Sequence, residues 1–144
     1  MQRKIFPLAA LGLAVSAALV YAHHGSAVSY DLSQKVTMKG TITEFKYINP
    51  HPALFWDVKD DQGNVTHWTG EIAPNVAQLQ QNGWGRKRSE AALAPGTPVT
   101  ITLSPSRAGG PVGLVQKIES ATGDAVLGEI GLGAGAPPPA EPKQ

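Results

Sequence analysis

The chain has 144 residues, which suits one domain of ordinary size, and its formal net charge of +1 excludes the strongly basic footprint of a nucleic-acid-binding protein. It contains no cysteine, so disulfides, thiolate metal sites and lipid anchoring through an N-terminal cysteine are excluded as well. Hydrophobic residues make up 42% of the chain, enough for a single modest core.

Residues 1–22 have the pattern of a secretory signal peptide. Arg3 and Lys4 precede an apolar run of 16 residues, and small residues follow at a candidate cleavage site. We expect cleavage after Ala22, with a second candidate site after Ala27. An uncleaved membrane anchor is the alternative, but the run contains Pro7 and is shorter than the roughly 20 residues of a membrane span.

Export would leave a mature chain of 122 residues that begins at His23. Losing two basic residues brings its net charge to about −1, which argues against a nucleic-acid or anionic-membrane partner. We therefore expect a periplasmic or secreted protein without a stable membrane anchor.

The segment 23–34 is expected to be an N-terminal arm that carries a histidine pair. From Gly25 to Gln34 it has little periodicity, which fits a connecting arm or an extra edge strand. A barrel domain is predicted over residues 35–122. Its first strand, 35–47, alternates well, with Val36, Met38, Gly40 and Ile42 on one face. Met38 is therefore expected in the core and not at a copper site.

Two further strands follow as a hairpin. The stretch "INPHP" predicts a turn, "ALFWDVKD" a strand with Leu54 and Trp56 on its apolar face, and "VTHWTGEI" the next strand. The turn over Asp60–Asn64 predicts pairs whose numbers sum to about 123, which sets Trp56 opposite His67 and Pro52 opposite Glu71. Trp56 and Trp68 are expected in the core.

A helix is predicted from Pro74 to Gly83, with a short helical turn over Ser89–Leu93. "TPVTITLSP" and "GPVGLVQKIESA" predict the last two strands. Three strands, a helix and two strands is the order of a mainly β, five-stranded OB-like Greek-key barrel; a different small β-roll is the alternative. Residues 123–144 are rich in Gly, Ala and Pro and predict a disordered tail.

The candidate site is a transition-metal site built from His23, His24, His51 and Glu71. Cleavage after Ala22 would give His23 a free α-amine beside its own imidazole, as in the N-terminal histidine brace of copper oxygenases, and nitrogen donors suit copper and other divalent transition metals. Cleavage after Ala27 would remove both histidines. Binding should weaken as the pH falls, because protonated imidazole cannot ligate a metal.

Strand pairing places His51 and Glu71 at the same end of the sheet, whereas His67 lies about 13 Å further along and is expected to face solvent. Glu71 is expected as a ligand or as the group that orients an imidazole. Asn49, Trp68 and Arg107 are candidates for supporting contacts, Arg107 by steering an anionic group. The simpler alternative is that His51 only hydrogen-bonds backbone in its turn and that Glu71 is a solvated charge.

Several segments resemble a family of small exported bacterial proteins of unknown function, DUF6152. They are "AHHGSAVSYD", "VTMKGTITEFKYINPH", "WTGEIAPN", "NGW", "PGTPVTI" and "SPSRAGGPVGLV", and the resemblance covers about Ala22 to Ala121. Its recurrent positions correspond to His23, His24, Asn49, Pro50, His51, Trp68, Glu71, Pro105, Arg107 and Gly109. The resemblance brings no activity, and His67 is not among its positions. The chain departs from the pattern at Gly25 and in its longer tail.

Two functions remain open at the level of sequence. The first is periplasmic metal binding, in storage, delivery or sensing. Catalysis is less expected, because no nucleophile–base pair, phosphate loop or catalytic carboxylate pair stands out. The second is a non-metal OB-like module that binds a small ligand or a periplasmic protein. In that case the histidines and Glu71 would form a polar cluster that pins the arm to the barrel.

Overall fold

The computed structural model describes residues 25–127, and a five-stranded β-barrel is its main feature. The strands are β1 (Val36–Lys46), β2 (Ala53–Lys59), β3 (Val65–Ile72), β4 (Pro98–Pro105) and β5 (Val112–Ser120). They are ordered β3-β2-β1-β4-β5, and a parallel pairing of β3 with β5 closes the barrel. The strand order, closure and intervening helical segment make this an OB-like Greek-key barrel, as the sequence predicts.

Three short helices and one further strand complete the described part of the chain. Helix α1 is Gly25–Ser29 in the arm, and α2 (Val76–Gln81) and α3 (Arg86–Ala92) lie between β3 and β4. The predicted helix is α2, and the predicted helical turn near Ser89 is part of α3. Strand β6, Ala125–Leu127, pairs with β5 in the segment that the sequence assigned to the tail; residues 128–144 lie outside the described residues.

Strand β1 is long and bent, and it pairs with a different neighbour along each half of its length. It pairs with β4 from Val36 to Thr41 and with β2 from Thr41 onward. Close approach of β2 at this bend requires a glycine, since a Cβ on Gly40 would lie 2.7 Å from Trp56 Cδ1. A bulge between Ile42 and Glu44 then shifts the alternation, so that Tyr47 is buried.

The β2–β3 hairpin corrects the predicted register by one residue. The Asp60 backbone N–H donates to Asn64 O, which leaves a three-residue loop with Gly63 at φ +89°. Paired numbers therefore sum to 124, so Trp56 faces Trp68, Asp57 faces His67 and Ala53 faces Glu71. The predicted pairs Trp56–His67 and Pro52–Glu71 are wrong, because the Asp60 carboxylate accepts from the Gln62 and Asn64 amides and fixes the shorter loop.

Inward side chains of every barrel strand and of the helical segment form one core. Trp56 is fully buried and stacks on Trp68 with ring centroids 5.9 Å apart. Helix α2 contributes buried Leu79 to this core, and its N-cap Asn75 exchanges hydrogen bonds with Gln78 in a capping box. Met38 packs against this core, as predicted.

Residues fully buried in the core are Ile42, Leu54, Trp56, Ile72, Leu79, Leu93, Ile101, Leu103, Val115 and Ile118. Among residues 25–127, no helix has the length and apolar character needed to cross a bilayer.

Candidate functional site

His51 lies half-buried in the turn before β2, and its ring is held by the backbone of β3. Its Nδ1 lies 3.1 Å from the carbonyl oxygen of Ile72. A carbonyl can only accept, so in the neutral ring Nδ1 carries the hydrogen and Nε2 keeps its lone pair. The turn itself is fixed by two bonds, from Ile72 N to Pro52 O and from Val76 N to Pro50 O.

Glu71 lies beside this turn, on the outward face of β3, and it contacts the N-terminal arm. The residue is exposed and pairs with Ala53 across the β2–β3 ladder. Its Oε2 accepts a 3.3 Å hydrogen bond from the Tyr30 hydroxyl. Burial raises the pKa of Tyr30 above its ordinary value of 10.0, and the charge of Glu71 and this hydrogen bond raise it further.

The arm is attached to the loop that follows β4. Tyr30 forms an antiparallel bridge with Ser106, and the Asp31 amide donates to Pro105 O. Arg107 adds two bonds, from its backbone N–H to Ser29 O at 2.9 Å and from its side-chain Nε to Ala27 O at 3.2 Å. The arm is therefore held by backbone pairing and by one arginine side chain.

Two side chains support this attachment at the start of the barrel. Buried Ser104 donates from Oγ to Gln34 O at 3.0 Å and accepts from Gln116 Nε2 at 2.8 Å. Asp31 accepts from the Ser33 hydroxyl at 2.6 Å, and this bond is the main reason that the pKa of Asp31 lies below 3.8. Arg107 Nη2, 3.7 Å from Asp31 Oδ1, lowers the pKa further.

His67 lies away from this end of the barrel and has its own partner. Its Nδ1 donates to Asp57 Oδ1 at 2.6 Å, and 80% of its side chain is exposed. Its solvent-facing position is as predicted. The partner Asp57 follows from the corrected register, in which the two residues are directly opposite.

The three residues expected to support the ligands lie in different surroundings. Asn49 is exposed at the start of the turn, and the Asn49–Pro50 peptide bond is cis. Trp68 stacks on Trp56 on the inward side of β3, the opposite face from Glu71. Arg107 contacts the arm and Asp31, so its observed role is to hold the arm.

The structure thus brings His51, Glu71 and the arm to one end of the barrel. Within residues 25–127, no group of three or more His, Asp or Glu side chains is close enough to hold a metal. His23 and His24 lie outside the described residues.

Sequence reasoning missed two contacts that define this end. The Tyr30–Glu71 bond joins residues 41 positions apart, and the bond from Arg107 to Ala27 joins residues 80 positions apart. The stretch around Tyr30 has no strand periodicity, so no local pattern in the sequence predicts its bridge to Ser106.

Comparison with solved structures finds similarity to a crystal structure of yeast Stn1 and Ten1. The match has a TM-score of 0.39 and 15% sequence identity, and it covers 60% of this chain. This chain spans 42% of the length of that solved chain. No curated protein matches the sequence significantly.

The family comparison covers most of the barrel and arm. Residues 10–116 match a profile described as a family of unknown function, DUF6152. The matched segment includes His23, His24, His51, Glu71 and Arg107 and spans well over half of the chain. The protein therefore belongs to the DUF6152 family.

Proposed function

We propose that the protein is an exported transition-metal-binding protein, with copper as its metal and His23, His24 and His51 as ligands. The observation that carries the proposal is the hydrogen bond from His51 Nδ1 to Ile72 O. Metal-binding histidines commonly donate their second ring nitrogen to a backbone carbonyl, which fixes the ring and directs the free nitrogen to the metal. His51 has that hydrogen bond.

The docked arm supports the same proposal by limiting where its preceding residues can reach. Ala27 O is bonded to Arg107, and Tyr30 is bonded to Glu71. His24 is three residues before Ala27, a span of at most about 11 Å in an extended chain. A mature N-terminus at His23 would thus start near the barrel end that carries His51.

Glu71 is assigned a positioning role in this proposal. Its Oε2 already accepts from Tyr30, and the residue is exposed. The carboxylate would hold the arm and add negative charge beside a bound cation. Three imidazoles and the α-amine of His23 provide nitrogen donors, which suit Cu(II). Storage, delivery or sensing in the periplasm fits this site better than catalysis.

The non-metal alternative is favoured by the same hydrogen bonds. Tyr30, Glu71 and Arg107 hold the arm through protein contacts. The bond from His51 to Ile72 O is also one that a histidine with only a structural role in its turn would make. A polar cluster that only pins the arm would leave the protein as an OB-like module for a small ligand or a periplasmic partner. The two functions differ in whether the histidines confer metal affinity.

The test is a calorimetric titration of Cu(II) into the chain that begins at His23. We expect one copper per chain, and we expect His51→Ala to weaken binding by at least about tenfold, since losing even an orienting partner costs 10- to 100-fold. His67→Ala is the matched control, because His67 pairs with Asp57 elsewhere on the barrel. A chain with one extra residue before His23 should also bind less tightly, because its α-amine is displaced.

Equal copper affinity in the parent chain, His51→Ala and His67→Ala would contradict the proposal. In that case His51→Ala would be expected to lower only the stability of the turn, as the non-metal alternative predicts.

A further inference from the structure

A groove of about 340 Å³ lies on the outer surface of the barrel, where β1 passes from its pairing with β2 to its pairing with β4. Residues of β1 form its floor, and the end of β2 and the start of β4 form its sides. Lys39, Thr41, Asp57, Lys59 and Thr100 line it. His51, Glu71 and Arg107 are not among the lining residues, so the groove is separate from the candidate metal site.

Two lysines are among the lining residues, Lys39 from β1 and Lys59 from the end of β2. The β1–β2 ladder ends at the pair Thr41–Asp57, and Lys39 and Lys59 each lie two residues beyond that pair on their own strands. Within residues 25–127, neither lysine pairs with a carboxylate. An anion bound between the two ammonium groups would neutralise both charges.

The remaining polar groups in the groove suit the same kind of ligand. Thr41 and Thr100 bring hydroxyls that can donate to an oxyanion. Asp57 is the one carboxylate among the lining residues, and its Oδ1 accepts the 2.6 Å bond from His67. The volume is at the small end of ligand pockets, which span roughly 300–1,000 Å³.

We infer that this groove binds a small, doubly charged oxyanion between Lys39 and Lys59. Two ammonium groups neutralise the dianion, and the threonine hydroxyls hydrogen-bond its oxygens. A phosphate group and a small dicarboxylate share this chemistry. The mature chain has a net charge of about −1, so unspecific attraction of anions to the whole protein is not expected.

The experiment titrates inorganic phosphate and, separately, malonate into the full mature chain while backbone amide shifts are followed by NMR. We expect saturable shifts at Lys39, Thr41, Lys59 and Thr100 with at least one probe. Lys39→Gln and Lys59→Gln should each weaken that binding by about tenfold, because each removes a charge-assisted hydrogen bond. Lys87→Gln, on exposed α3, is the matched control and should bind as the parent chain does.

Three results would overturn the inference. The first is that neither probe produces saturable shifts in the groove. The second is that Lys39→Gln and Lys59→Gln bind as tightly as the parent chain. The third is that Lys87→Gln weakens binding as much as they do, which would show general charge attraction and no built site. Copper does not enter the titration, so the result is independent of the metal proposal.

Discussion

At the scale of single residues, two facing glycines let the barrel close. Gly70 of β3 and Gly113 of β5 are partners in the parallel ladder. A Cβ on Gly70 would lie 2.7 Å from Gly113 O and 2.8 Å from Val115 Cγ2. Both neighbours belong to the packed seam, so neither can move away without disturbing the pairing of β3 with β5.

We predict that Gly70→Ala lowers the free energy of unfolding by about 1–3 kcal/mol, as overpacking of a filled core does. Gly85→Ala is the control for steric overlap, since a Cβ at Gly85 meets nothing within 4 Å and the change costs only a weaker N-cap of α3, about 1 kcal/mol or less. Denaturant unfolding of the two variants and the parent chain checks this. An unfolding free energy equal for Gly70→Ala and Gly85→Ala would show that the seam is not tightly packed.

The sequence predicts some of these residue roles and not others. Gly70 falls on the inward face of β3 by simple alternation with Trp68 and Ile72, and the structure confirms that face. His67 falls on the outward face for the same reason. The partner of Glu71 could not be predicted, because Tyr30 reaches it from an arm with no periodic pattern.

At the scale of elements, the Asp60 carboxylate organises the β2–β3 hairpin. It accepts hydrogen bonds from the backbone amides of Gln62 and Asn64 and from the Asn64 side chain. These bonds, with the Asn64 side chain contributing most, lower the pKa of Asp60 below its ordinary value of 3.8. The ionised carboxylate is therefore bound more strongly in the folded chain than in the unfolded chain.

We predict an acid-dependent contribution from this turn. Because the folded pKa of Asp60 is lowered, the contribution is present above pH 3.8 and is lost as the pH falls below that value through the folded pKa. Asp60→Asn should be less stable than the parent chain at neutral pH and nearly equal to it at strongly acidic pH. Urea unfolding on both sides of pH 3.8 measures the difference.

Asp61→Asn is the control for the hairpin, since it removes a neighbouring charge and keeps the Asp60 hydrogen bonds. If both variants lose the same stability at neutral pH, general charge and not the turn is responsible.

The hydrogen bonds of Asp60 also explain why the predicted register of the β2–β3 hairpin is wrong by one residue. The residues Asp60–Asn64 are recognisable as a turn, but several loop lengths are compatible with them. The carboxylate contacts select the three-residue loop.

At the scale of the whole molecule, the arm and barrel form one hydrogen-bonded unit. Ser104, fully buried in β4, joins Gln34 of the arm to Gln116 of β5.

The order of strands and helix in the sequence was enough to predict the OB-like barrel. The docking of the arm depends on contacts between residues 41 to 80 positions apart, which no local sequence pattern encodes.

We predict that Ser104→Ala lowers the free energy of unfolding by about 1–3 kcal/mol, because it leaves two polar groups without their partner. Amide hydrogen exchange in residues 30–35 should also become faster. Ser89→Ala is the control, since Ser89 is equally buried and donates to Trp84 O, far along the chain from the arm. Unchanged exchange in the arm of Ser104→Ala would contradict its anchoring role.

The central claim is that export exposes a histidine N-terminus that binds copper together with His51. The most direct test is the intact mass of the exported, mature protein under native conditions, before and after one equivalent of Cu(II). We predict a chain that begins at His23 and retains one copper. A chain that begins at Val28, or one that begins at His23 and retains no copper, would contradict the claim.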